Sequence, residues 1–215
     1  MTHSLHREGS IDSLGRDYVL FIFPARGFNY SGSTPKVRRL MEIAYQSGPS
    51  NALASSLRRN LYSGVRPDEI LDSLKDGDRA YAVFNSKEKI REVLLRIQGA
   101  DEGISIIVSG LIDQVKEITE EMGIDPHTIN VSLGVLGNTE KLPAPELRQY
   151  TTMCGHGMIS PDLVRDVIRK LKTGKITAWE GSMTMVSPCV CGIVNPHRSE
   201  ELLKETVPLY ATSRW

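Results

Sequence analysis

Cys154 and His156 stand together in "TTMCGHGMISP" (151–161), and Cys189 and Cys191 in "SPCVCGIVNP" (187–196). These are all three cysteines of the chain. Both stretches run in one order: cysteine, glycine, a few residues, a polar cap and a proline. That order places each cysteine just ahead of a helix N-terminus, where free N–H groups and the positive end of the helix dipole favour a thiolate. The glycines let the backbone come close to a bound ion or cluster. Cys154, Cys189 and Cys191, with His156 as a fourth ligand, therefore form a candidate metal site suited to zinc or an iron–sulfur cluster.

The spacing weighs between the two. An extended Cys-x-Cys holds its Cα atoms about 6.5–7 Å apart. Two thiolates on one zinc must come within about 4 Å of each other, so the segment would have to curl. A cluster of several irons takes the wider span, and the iron–sulfur cluster is the expected cofactor, with zinc as its substitute. Three thiolates would leave one iron open to substrate. Two further chemistries use the same residues. Cys189-Val190-Cys191 could close a strained, easily reduced disulfide. A thiolate at Cys154 tuned by His156 could act as a general base or nucleophile. The competing explanation is packing, since free cysteine often only fills a core.

"MCGHG" resembles the cysteine motif of the proline racemase family, with "SPC" as a second echo. The resemblance implies two opposed cysteines that remove and return a proton at an α-carbon. Cys154 would be one acid/base and Cys189 or Cys191 the other. The chain departs from the family in two ways. Only 35 residues separate Cys154 from Cys189, and no Gly-Thr-Gly follows the second motif. A metal-free racemase or isomerase-like proton transfer is the alternative function.

The rest of the chain excludes several classes. Lys+Arg and Asp+Glu both number 26, so no basic excess points to nucleic acid. No apolar run approaches a membrane span of about 18 residues. The polar start "MTHSLHREGSIDSLGRD" has no apolar h-region. With cysteines too few for a disulfide framework, a cytoplasmic location is expected.

The elements that must position the cysteines are read from periodicity. Residues 18–23, "YVLFIF", form a continuous apolar run suited to a strand buried on both faces. Further strands are expected at 80–84, 104–110 and 128–135. Helices are expected from Thr34-Pro35, over 52–61, from Pro67, and over 86–98 and 111–123. This alternation predicts a layered α/β fold with a mainly parallel sheet. Three helices follow, at 160–173, 178–186 and 196–206, with Ser160 as a cap and Thr177 to Glu180 as a capping box. The organisation is thus a flexible N-terminal arm (1–16), an α/β domain (17–140) and a helical cysteine-bearing module packed on it (141–215).

In such a sheet ligands lie beyond the strand ends. The loop "PARGFNYSGST" offers Arg26, Asn29, Ser31, Ser33 and Thr34, and Ser109 follows a later strand. Arg26, Asn29, Ser33 and Ser109 are the expected contacts for a small anionic substrate. The chain is read as a cytosolic enzyme of unassigned reaction class. A non-enzymatic cluster or metal carrier, or a subunit of a larger complex, is the competing role.

Overall fold

The computed structural model describes residues 4–209. The outermost residues of the expected arm and helical module, 1–3 and 210–215, lie outside them. Four strands form one sheet: β1 (Tyr18–Phe23), β2 (Asn51–Ala54), β3 (Ala80–Phe84) and β4 (Ser105–Ser109). Their order is β2-β3-β1-β4, and every neighbouring pair is antiparallel.

The mainly parallel sheet is overturned by this order. Helix α2 (Thr34–Gln46) carries the chain from β1 to β2, and α4 (Lys87–Ala100) carries it from β3 to β4. Each helix joins strands that point the same way but are not neighbours. One strand of the other unit slips between them, which is the split βαβ arrangement. Alternation of strands and helices marks the crossovers but not the neighbours, and here the neighbours are antiparallel.

The apolar run of β1 is buried because helices cover both faces. Tyr18, Leu20 and Ile22 face α2, α4, α3 (Pro67–Asp72) and α5 (Ile112–Glu121). Val19 and Phe21 face α6 (Pro145–Thr151), α7 (Pro161–Lys172), α8 (Ala178–Val186) and α9 (Pro196–Leu209). The caps at Ser160 and Thr177 start α7 and α8, and Glu180 completes the capping box.

Two other expectations fail locally. The helix over 52–61 is replaced by β2 and turns, because pairing with β3 overrides the helix propensity of "NALA". The strand at 128–135 is irregular and exposed, and it has no strand beside it among the described residues.

Residues 4–17 lie against the C-terminal helices. Helix α1 (Ile11–Leu14) begins at Ser10, and Ser4 and Ser13 are buried. Asp17 is buried between two guanidinium groups: Arg7 pairs with Oδ1, and Arg198 with Oδ2 at 2.8 Å. Burial pushes the Arg198 pKa down, and the charge of Asp17 opposes that shift.

Candidate metal and thiol site

Cys154 follows α6, and Cys189 follows α8 by a single turn in which the Cys189 N–H donates to the Val186 carbonyl at 2.9 Å. Both segments curl on left-handed glycines, Gly157 at φ +69° and Gly192 at φ +64°. The curl brings all three cysteines into one core cluster beside Val19, Phe21 and Val83. Cys154 and Cys189 are each 1% exposed and Cys191 8%. The Sγ atoms of Cys189 and Cys191 stand 3.8 Å apart, and the Cys154 thiol is close enough to interact electrostatically with Cys189.

Cys189 is the cysteine with which both others interact. Hydrogen bonds from the Cys154 and Cys191 thiols pull its pKa well down, against the opposing effect of burial. The same bonds, with burial and the Cys189 charge, push the other two thiols up. Backbone N–H groups reinforce negative charge on the sulfurs. Those of His156 and Met158 lower the Cys154 pKa, those of Val194 and Cys191 that of Cys189, and that of Ile193 that of Cys191. Such donors favour thiolates.

The loops are held from outside. Asn60, fully buried, donates to the Cys189 carbonyl at 2.8 Å, and Asn51 donates to the Val194 carbonyl at 3.0 Å. Arg7 reaches across both loops, donating to the carbonyls of Ile193 and, at 3.4 Å, Met153. Neither Arg7 nor the two asparagines form a recognisable motif. Their partners lie 129–186 residues away along the chain, so no local pattern marks them.

Gly192 is fixed by space as well as by φ. A Cβ there would meet the Leu53 Cβ at 2.7 Å and the Ala52 carbonyl at 3.2 Å. Nothing lies within 4 Å of a Cβ at Gly157. Gly192→Ala is expected to cost about 2–3 kcal/mol, combining left-handed strain with overpacking, against about 1 kcal/mol for Gly157→Ala. Urea unfolding of the two variants measures the difference; equal losses would mean that the close approach to β2 carries no weight.

A depression of about 370 Å³ lies beside the Cys154 loop, lined by Cys154, His6, Thr151, Thr152, Ile159 and Ser160, among others. The exposed His156 belongs to the turn beside it, and its backbone N–H helps lower the Cys154 pKa. Among the described residues, no group of three or more His, Cys, Asp or Glu side chains already stands as a metal cage.

The expected substrate loop is placed differently. Arg26 lines a second depression, of about 530 Å³, with its guanidinium 5.8 Å from the Tyr30 ring centroid. The linings of the two depressions share no residue. Asn29 accepts from the Ala25 N–H at 2.6 Å and donates to the Gly103 carbonyl. Buried Ser33 accepts from the Gly77 N–H at 2.8 Å. Ser109 closes β4 opposite Val19. Donors at the start of α2 are already taken by a carboxylate of the chain: Asp76 accepts from the Gly32 and Thr34 N–H groups and from the Thr34 hydroxyl. These bonds, with the Thr34 hydroxyl foremost, lower the Asp76 pKa.

No helix among the described residues is long and apolar enough to cross a membrane. No protein-family model, no curated protein and no solved structure matches this chain, so its reading rests on the site itself.

Proposed function

We propose that Cys154, Cys189 and Cys191 bind one thiophilic metal centre and that the depression at Cys154 admits a small anionic substrate to it. The observation that carries this reading is the convergence of all three cysteines, from two loops, in one buried cluster lined by backbone N–H donors. Three soft ligands with a fourth position left for water or substrate are the composition of a reactive metal site. Binding would draw Cys154 in and deprotonate the two raised thiols, since metal affinity and thiolate formation are linked.

The Cys189–Cys191 separation bears on which metal. For sulfurs about 2.3 Å from a tetrahedral ion, neighbouring ligands stand about 3.8 Å apart. The observed 3.8 Å fits one ion shared by both thiolates. The wider span that favoured a cluster is absent, because Gly192 curls the segment. A single zinc ion thus takes precedence over the iron–sulfur cluster. All three cysteines are free thiols, which fits a reducing, cytoplasmic setting.

Metal-free chemistry is the second reading, favoured by the lowered pKa of Cys189 beside the Cys154 and Cys191 thiols. Cys154 would then serve as the proton donor and acceptor facing the depression. Anaerobic purification of the full chain, followed by zinc, iron and sulfide analysis, separates these readings. Stoichiometric zinc without colour supports the single ion; iron with sulfide and visible absorption supports the cluster. Absence of both, with no zinc uptake on titration, ends the metal reading and leaves thiol chemistry.

A further inference from the structure

The segment between α5 and α6 has the pattern of a strand and none of its bonds. Ile129, Val131, Leu133 and Val135 alternate with Thr128, Asn130, Ser132 and Gly134. In a strand the four apolar side chains would share one face. They are 51%, 57%, 86% and 51% exposed, and neighbouring Leu136 is 83% exposed. Among the described residues, 125–137 make no backbone–backbone hydrogen bond. The Ser132 hydroxyl lies 3.0 Å from Nδ1 of His6 and accepts from the Gly134 N–H at 3.1 Å, and the His6 contact is the one that ties the middle of the segment to another part of the chain.

The matching gap is in the sheet. β4 pairs with β1 on one side, and among the described residues its other edge has no strand. Its residues Ile106, Ile107 and Val108 are only half-buried, whereas Val19, Leu20 and Phe21 in β1 are closed on both faces. Natural sheets guard a free edge with charges, proline or a bulge. "SIIVS" carries none of these, and residues 128–135 are equally uncharged.

We propose that residues 128–135 are an exchange strand that adds to the free β4 edge of a second copy of this chain. Donor strand and acceptor edge are present in the same molecule, so the exchange is reciprocal and closes with two-fold symmetry. Backbone hydrogen bonds supply the pairing, and the alternating apolar face is covered by the partner. A second copy is the occupant because the single chain leaves the segment off its own edge, tethered to His6 instead. This inference does not depend on the chemistry of the cysteines.

Light scattering of the full chain tests it, alongside amide exchange and the double variant Asn130→Pro/Val131→Pro. The two prolines remove one N–H from each side of the strand and fall in a segment without secondary structure, so the single chain folds unchanged by circular dichroism. The native protein is expected at the two-chain mass with slow exchange over 129–135, and the variant at the one-chain mass. A native one-chain mass overturns the proposal. So does a variant that keeps the two-chain mass. A one-chain mass with slow exchange in the segment means that the strand closes on its own edge, and equally overturns it.

Discussion

Asp17→Ala is expected to lower the stability of the protein by about 3–5 kcal/mol, the cost of leaving buried charges uncompensated. Arg7 and Arg198 both pair with this carboxylate, and Asn195 donates to it at 3.3 Å. The Asp17 and Arg198 side chains are 0% and 1% exposed, and that of Arg7 is 6% exposed. Alanine would strand two guanidinium groups without their counter-charge. The loss is a large share of the roughly 5–15 kcal/mol that holds a domain folded. The cluster also joins three distant parts of the chain: residues 7–17, the cysteine loop at Ile193 and helix α9. Urea unfolding measures the effect through its midpoint. A second readout separates stability from the site. Arg7 clasps the carbonyls of Met153 and Ile193, so Asp17→Ala should also weaken metal uptake at a temperature where the variant is still folded. A shift below about 1 kcal/mol would reduce the cluster to the value of a surface pair.

Cys189→Ala is expected to reduce bound metal to background, with a larger effect than Cys154→Ala or Cys191→Ala. Cys189 stands 3.8 Å from Cys191 and interacts with both other cysteines, which pull its pKa down. Removing it takes away the sulfur with which Cys154 and Cys191 both interact and leaves the two outer thiols, raised by burial alone, without a shared neighbour. Removing either outer cysteine leaves Cys189 with one interacting partner. Metal analysis of the three purified variants gives the ranking, and circular dichroism confirms that each is folded. If Cys189→Ala retains full metal, the three sulfurs are not one site. If all three variants and the native chain lack metal but lose a common thiol reactivity, the proton-transfer reading takes over.

The sequence by itself determined most of the elements and suggested the grouping of the cysteines, but not their arrangement. Local signals are physical at short range. The apolar run of β1 marks a strand closed on both faces, Ser160 and Thr177 mark helix starts, and Gly157 and Gly192 mark the turns beside the sulfurs. Strand order was not legible, because a crossover helix fixes the direction of the strands it joins and leaves their neighbours open. β2 was hidden by residues that favour a helix and were decided by β3 alongside. The alternation at 128–135 was legible as strand propensity, but propensity does not supply a partner edge.

At the site the same division holds. Cysteine-glycine spacing suggested a shared centre and an extended Cys-x-Cys. Tertiary structure decided the curl to 3.8 Å, since the backbone at Gly192 must pass close to β2. It also decided what the first loop can offer, by placing Asp76 on donors that the sequence left open for a ligand. Arg7, Asn51 and Asn60 entered the site only through folding. Each acts on a backbone carbonyl more than a hundred residues away, a relation that exists in space and has no trace in local spacing.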